Sequence, residues 1–378
     1  MRIGVLTFWN SLDNYGQILQ GYALQKYLMS LGHEVYLIRY EERKTYPDIF
    51  QSNTLWAIFT RLKKSLLHHN DYKKQKKAYR KNLQREFSVF KKRMCFSTKV
   101  YHTPESLQND FPDADMYIVG SDQVWGRNPE NAEQQPYYLK FGKPSTKRIS
   151  YAASFGNNEA FDKNQALLQK QLYGFDHISV REDNGIELCK KAKLDATWVL
   201  DPVLLLRKDD YLPLIERIAP RLEEYLYIYS VNVVKSEQIQ YSQLFSLAKT
   251  RNLQVVVTPS SGYITFAEVY EGAVYDYCSI EGWLSNIYHA NMVVTTSFHG
   301  VMFCLKFHKP FVYVPLKGEF SRGNDRVGTL LTKLQLTNRI LENSYEDIFL
   351  KSIDWASVDK MLDEFINNSK EFLKGSGC

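Results

Sequence analysis

The run Val293-Val-Thr-Thr-Ser-Phe-His-Gly-Val-Met-Phe-Cys-Leu305 changes character in its middle. An apolar strand leads into Thr295, Thr296 and Ser297, and an apolar helix follows with His299 and Gly300 in its first turn. The first N–H groups of a helix lack carbonyl partners, so hydroxyls at such a junction outline an anion site. A histidine beside a bound phosphate or carboxylate can move protons.

Other polar residues fall at comparable places. Asn10, Asp13, Asn14, Tyr15, Gly16 and Gln17 follow a first apolar run, and Ser121, Asp122, Gln123 and Trp125 follow a third. Ser154 follows a fourth, and Arg181 and Glu182 a fifth. A guanidinium fixed at the start of a helix, such as Arg181, grips a carboxylate or phosphate at two points. The polar loop Gly318–Arg326 brings Arg322 and Arg326 to the start of another helix, where they could close over an anion. The eight histidines form neither HxH nor HExxH, which argues against a metal centre. No GxxxxGK[ST] exists, and no GxGxxG follows the first strand, so nucleotide hydrolysis and dinucleotide binding lack support.

The elements that must position these residues alternate between strand and helix, which argues for parallel sheets with helical crossovers. Strands are expected at 3–7, 33–39, 116–119, 148–153, 178–180 and 197–200, and again at 225–231, 254–258, 292–295 and 311–314. Helices are expected over 16–31, 236–251, 280–289, 298–306, 325–334 and 354–373. Asp201-Pro202 is a natural break, because a proline bars helix at the residue before it. The expected fold is α/β, with two Rossmann-like doubly wound domains facing a cleft. Residues 1–201 form the first domain, carrying a basic helical insertion at 54–96. Residues 202–345 form the second, and 346–378 a final helix packing back on the first. In open parallel sheets, ligands bind outside the carboxyl ends of the strands, where all the polar residues above fall.

Charge is unevenly placed. Residues 61–93 hold thirteen Lys or Arg against two acids, a local +11 in a chain of net +6. Leu62, Leu66, Leu67, Tyr72, Tyr79, Leu83, Phe87 and Phe90 run through it, as in two basic amphipathic helices broken near Asn70. Such a face suits an anionic membrane or a lipid pyrophosphate, and no nucleic-acid motif accompanies it. The competing reading is a solvated helix pair capping the sheet. Five cysteines, none in CxxC, read as reduced thiols. With no signal-peptide pattern and no run of 18 apolar residues, the expectation is a cytoplasmic protein, peripheral on the inner face of the membrane.

Several motifs together resemble the polysaccharide pyruvyl transferase family. They are Asn14-Tyr-Gly-Gln-Ile-Leu-Gln-Gly-Tyr-Ala-Leu-Gln25, Val119-Gly-Ser-Asp-Gln-Val-Trp125, Ser150-Tyr-Ala-Ala-Ser-Phe-Gly156, Ser179-Val-Arg-Glu182, Asp201-Pro-Val-Leu-Leu205 and Thr296-Ser-Phe-His-Gly300. The resemblance implies a glycosyltransferase-B-like fold and transfer of pyruvate from phosphoenolpyruvate to two hydroxyls of a sugar, forming a cyclic ketal on a cell-surface polysaccharide precursor. It implies no metal or organic cofactor. The acceptor it implies is a sugar, here expected to be lipid-pyrophosphate-linked.

By the same resemblance Arg181 binds the donor and His299 transfers the proton, and with Asp122 they are the expected catalytic group. Arg181, Ser297, His299, Gly300, Arg322 and Arg326 form the donor side. Asn14, Tyr15, Gly16, Gln17, Ser121, Asp122, Trp125 and Ser154 form the acceptor side. Asp122 or Glu182 is expected either to orient His299 or to serve as the partner base. One branch of the family carries Arg two residues before this histidine, where Ser297 stands here. Two alternatives share the architecture. One is a nucleotide-sugar glycosyltransferase using Glu281 or Glu319 for the ribose, and the other is a polysaccharide-binding protein without catalysis.

Overall fold

In the computed structural model the alternating runs fold as strand–helix units wound into two parallel sheets. The structure describes residues 1–10, 14–41, 83–156, 163–260, 268–318 and 324–378, with Ile58, Arg61, Leu62, Lys73, Lys76, Lys77, Arg80, Lys81, Phe161 and Ser321. The first sheet contains β1 (Arg2–Leu6), β2 (Glu34–Tyr40), β3 (Ser97–Tyr101), β4 (Met116–Val119) and β5 (Lys147–Ser150), in the order β3-β2-β1-β4-β5. β6 (Ser179–Val180) and β7 (Thr197–Trp198) pair with each other and continue this sheet through single bridges to Ile149 and Ala153. The second sheet contains β8 (Tyr225–Val231), β9 (Gln254–Ser260), β10 (Val274–Tyr275), β11 (Met292–Thr295) and β12 (Phe311–Tyr313), in the order β10-β9-β8-β11-β12.

Counted within its own half, each sheet has the strand order 3-2-1-4-5 of a doubly wound fold. The order reverses between β1 and β4 in one half and between β8 and β11 in the other. The carboxyl ends of those four strands are where such a fold leaves a crevice.

A parallel strand covered on both faces must be apolar throughout. β4 and β11 are buried at every residue, and β8 at all but its last. The two strands that sequence reading lacks, β3 and β10, are both edges. β3 alternates between exposed and half-buried residues up to the buried Tyr101, and β10 has no fully buried one, so no apolar run marks either. The single helix expected over 236–251 is interrupted at Gln240, whose φ of 49° separates a 3-10 turn from the helix Tyr241–Thr250.

The helices that matter below are α1 (Tyr15–Ser30), α2 (Phe87–Met94), α3 (Asp183–Lys191), α4 (Ile280–His289), α5 (Phe298–Lys306), α6 (Asn324–Lys333) and α7 (Trp355–Gly375). One apolar core runs without a break from Ile3, Val5 and Leu19 through Val203 and Leu204 to Trp283, Val301 and Phe303. Two further cores lie on the outer faces of the sheets. The two halves therefore share an apolar seam, which opposes the free hinge motion expected of polar domain interfaces. α7 begins against the second half, where Trp355 stacks on His308. It ends on the first half, where the Ser369 hydroxyl accepts from the Leu200 amide at 2.9 Å and Phe372 meets Tyr151.

The described residues between 58 and 83 are helical, and the expected break at Asn70 lies outside the described residues. Part of the basic charge is spent within the molecule. Arg85 is buried and donates to the Tyr15 hydroxyl at 2.9 Å and the Pro259 carbonyl at 2.6 Å. Arg93 pairs with Glu281, and Lys77 and Lys81 pair with Glu268. This segment of the first half thus straps onto the second. Among the described residues no helix is long and apolar enough to cross a membrane.

Candidate active site

The crevice edges of both sheets are held by local hydrogen bonds. After β1, Asn14 caps α1 by accepting from the Gln17 amide at 3.1 Å. Gln20, fully buried in α1, donates to the Thr7 hydroxyl at 2.8 Å and accepts from the Ser121 amide at 3.0 Å. The end of β1 is thereby fastened to the turn after β4, and Asp122 is presented at that turn with φ 79°. A short polar side chain tolerates this left-handed backbone better than a bulky one.

Opposite, Ser297 caps α5 by accepting from the Gly300 amide at 3.3 Å, and its own amide donates to the Thr295 hydroxyl at 3.0 Å. Two glycines are required here by contact. A Cβ on Gly300 would lie 2.3 Å from Thr295 Oγ1. One on Gly16 would lie 2.1 Å from His299 Cγ, so the first turn of α1 packs directly on the imidazole. Two helix N-termini, one from each half, therefore meet at His299.

Behind them lies a buried ionic cluster. The Arg181 guanidinium donates to Asp201 Oδ2 at 2.7 Å, to Ser121 Oγ at 3.2 Å and to Asp122 Oδ1 at 2.8 Å. Its face lies 4.8 Å from the Phe298 ring centre, and Arg326 meets the same ring at 5.5 Å. His299 Nε2 is 3.5 Å from Asp201 Oδ2. Burial alone would raise the Asp201 and Asp122 carboxyls. The neighbouring donors outweigh it and hold both below the usual carboxylate range: His299 and Arg181 for Asp201, Arg181 foremost for Asp122. For Glu182 burial prevails over Arg181 and the carboxyl is raised.

A cavity of about 260 Å³ opens in front of this cluster. Asn14, Gln17 and Asp122 line it from the first half, and Ser297, His299 and Arg326 from the second. Arg326 is the notable member. Its Nη1 is 3.9 Å from Asp122 Oδ1, too long for a hydrogen bond, and its Nε is buried without a partner. Its loop is fixed by Tyr313, which donates to Asn324 Oδ1 at 2.8 Å.

Four expected site residues are placed elsewhere. Arg181 does not reach the cavity, because its guanidinium is fully buried between carboxylates and covered by Phe298. A direct grip on the donor is therefore not available to it. Trp125 belongs to the outer core and donates to the Tyr137 carbonyl. Tyr15 stacks on Trp283 and donates to the Cys278 carbonyl at 2.8 Å. Ser154 is fully buried, its hydroxyl accepting from the Gly156 amide.

Ser121 supports Asp201 from behind, and Gly16 and Gly300 serve by having no side chain. Arg322, Glu319 and Asp13 lie outside the described residues. Among the described residues the carboxylate paired with the imidazole is that of Asp201. Asp201 was legible as a chain break and as the first residue of a family motif, with no role at the site. The available signal was its position just past β7, at the same carboxyl end as the other polar residues. Among the described residues no cluster of three or more His, Cys, Asp or Glu is arranged to hold a metal ion.

The architecture is shared with solved structures. The N-terminal domain of trehalose-6-phosphate phosphatase from Candida albicans aligns over 99% of this chain and 96% of its own, at 10% identity and a TM-score of 0.50. UDP-N-acetylglucosamine 2-epimerase from Rickettsia bellii aligns over 99% and 95%, at 10% identity and 0.48. The glycosyltransferase SnogD from Streptomyces nogalater aligns over 99% and 95%, at 10% identity and 0.38. Such identities speak to fold alone, and the fold is that of two Rossmann-like domains in the GT-B manner. No curated protein matches the sequence. The family model for polysaccharide pyruvyl transferases matches residues 14–317, a span holding both helix N-termini, the Arg181 cluster and His299, and the chain belongs to that family.

Proposed function

We propose that the protein transfers pyruvate from phosphoenolpyruvate to two hydroxyls of a sugar in a cell-surface polysaccharide precursor. The observation that carries this reading is the Arg326 guanidinium. It is mostly buried and without a hydrogen bond among the described residues, and it lines the cavity with His299 between two helix N-termini. Phosphoenolpyruvate carries about three negative charges near neutral pH, and a planar fork with helix N–H groups suits its carboxylate and phosphate. Arg326 takes over the anion contact that Ser297 does not provide.

The reaction begins when His299 delivers a proton to the enol methylene, which becomes a methyl group. A sugar hydroxyl adds to the oxocarbenium-like carbon and gives up its proton. Phosphate leaves with its bridging oxygen, and a second hydroxyl closes the ketal. Of the two hydroxyl protons, one replaces that spent on the methylene and the other leaves with phosphate. The cavity's carboxamides, Asn14 and Gln17 among them, suit a polyhydroxylated acceptor. The exposed Leu62 and Leu83 among lysines and arginines are consistent with an acceptor held at an anionic leaflet. The nucleotide-sugar alternative loses one of its two candidate acids, because Glu281 is paired with Arg93 and does not line the cavity.

The test is incubation with phosphoenolpyruvate and a galactose-type acceptor, reading phosphate release and the mass gain of a ketal. His299→Gln should lower kcat about 10²–10⁴-fold. Consumption of a nucleotide sugar with no turnover of phosphoenolpyruvate on any acceptor would sink the reading.

A further inference from the structure

We infer that Asp201 is the positioning residue of His299: its carboxylate keeps a proton on Nε2, so that Nδ1 is the nitrogen that exchanges protons with a ligand. The inference draws on the pyruvyl-transfer reading for its kinetic test and on geometry for the rest. Asp201 lies at the junction of the two halves, fully buried, and every group around its carboxylate is a donor. Oδ1 accepts from the Val203 amide at 3.2 Å, and Oδ2 accepts from Ser121 Oγ at 2.8 Å and Arg181 Nη1 at 2.7 Å. An ionised carboxylate only accepts. The imidazole nitrogen at 3.5 Å must therefore present N–H to it, since two lone pairs would repel.

Nε2 is buried and makes no hydrogen bond of ordinary geometry, and Asp201 Oδ2 is the carboxylate oxygen beside it. In the neutral ring the lone pair then sits on Nδ1. That edge faces the first turn of α1, where a Cβ on Gly16 would come within 2.2 Å of Nδ1 and where Asn14 and Gln17 line the cavity. When Nδ1 takes up a proton, the same carboxylate stabilises the imidazolium. The other charged groups near the ring are differently engaged. Asp122 is bound to Arg181 and to the Gln123 amide, Glu182 accepts from the Phe155 amide, and Arg326 faces the cavity. With three donors already fixing it, Asp201 cannot turn away. The pair exists only because the apolar seam sets β11 and α5 against the end of β7.

The test uses the full chain with ring-¹⁵N-labelled histidine, the His299 signals being assigned from their loss in His299→Gln. Neutral His299 is expected as the Nε2–H tautomer, and a ring that is mainly Nδ1–H overturns the inference. The second arm is Asp201→Asn, whose amide has one acceptor oxygen where the carboxylate serves four donors. Its kcat for ketal formation should fall about 10²–10⁴-fold while KM for phosphoenolpyruvate stays within about threefold. Circular dichroism and the denaturation midpoint establish how much of the protein is folded. A kcat within about threefold of wild type, or a loss accounted for wholly by unfolded protein, overturns the inference. If the variant does not fold, the wild-type spectrum decides. Wild-type protein inactive on phosphoenolpyruvate overturns the pyruvyl-transfer reading, and the spectrum still decides the role of Asp201.

Discussion

Arg181 and Arg326 approach the same ring, Phe298, at 4.8 and 5.5 Å, and both lie beside Asp122, yet they have opposite circumstances. Arg181 is surrounded by Asp122, Asp201 and, at 3.9 Å, Glu182. Each leaves its Nε without a hydrogen bond, but Arg181 donates through both Nη atoms, whereas among the described residues the one carboxylate near Arg326 is Asp122, at 3.9 Å. Their guanidinium groups respond accordingly. Burial opposes both charges. The three carboxylates more than compensate at Arg181, whereas at Arg326 burial and the repulsion of Arg181 prevail. The lesson is that an arginine at the end of a strand can be either a ligand contact or a structural counter-ion. What separates the two is how many carboxylates the fold brings to it.

The comparison breaks most visibly at Arg181. Arg181→Met leaves two buried carboxylates without their main partner and should cost about 3–5 kcal/mol, read as a lower midpoint in urea unfolding. A variant of wild-type stability would mean that Arg181 is not the counter-ion described.

Arg326→Met should do the reverse. Unfolding should move by less than about 1 kcal/mol, because a 3.9 Å pair contributes little. KM for phosphoenolpyruvate should rise about 10- to 100-fold, the worth of a hydrogen bond to a charged group. Equal KM values in variant and wild type would remove Arg326 from the donor side.

The smallest effects are in pH dependence. Asp122 and Asp201 have folded values below the unfolded one, so their stabilisation is present above about pH 5 and is lost as pH falls through the carboxylate range. Arg181→Met should flatten that acid limb. Glu182 has the opposite sign. Its folded value is raised, so its contribution is full below the unfolded value of about 4.3 and is lost as pH rises through the folded one. Glu182→Gln should accordingly lose less stability than wild type between pH 4 and 7 in thermal unfolding. An identical slope would mean that Glu182 titrates normally.

Much of the site was legible residue by residue. Asn14, Gln17, Asp122, Ser297, His299 and Arg326 each follow an apolar run or open a helix, and parallel sheets place all such positions at one edge. The misplaced residues satisfied the same rule. Trp125 and Tyr15 sit at the same edge but turn into cores built by distant segments, Tyr137 for one and Trp283 for the other. Local pattern says which end of a strand a residue occupies, and not which neighbour then covers it.

The sequence by itself determined the two alternating halves, their helix starts and the family motifs, because these depend on periodicity and capping within a few residues. It could not show that Asp201, rather than Asp122 or Glu182, meets His299, or that Arg181 is held by carboxylates while Arg326 faces the cavity. Those outcomes depend on how two sheets are set against each other, which the shared apolar core decides through contacts between residues far apart in the chain.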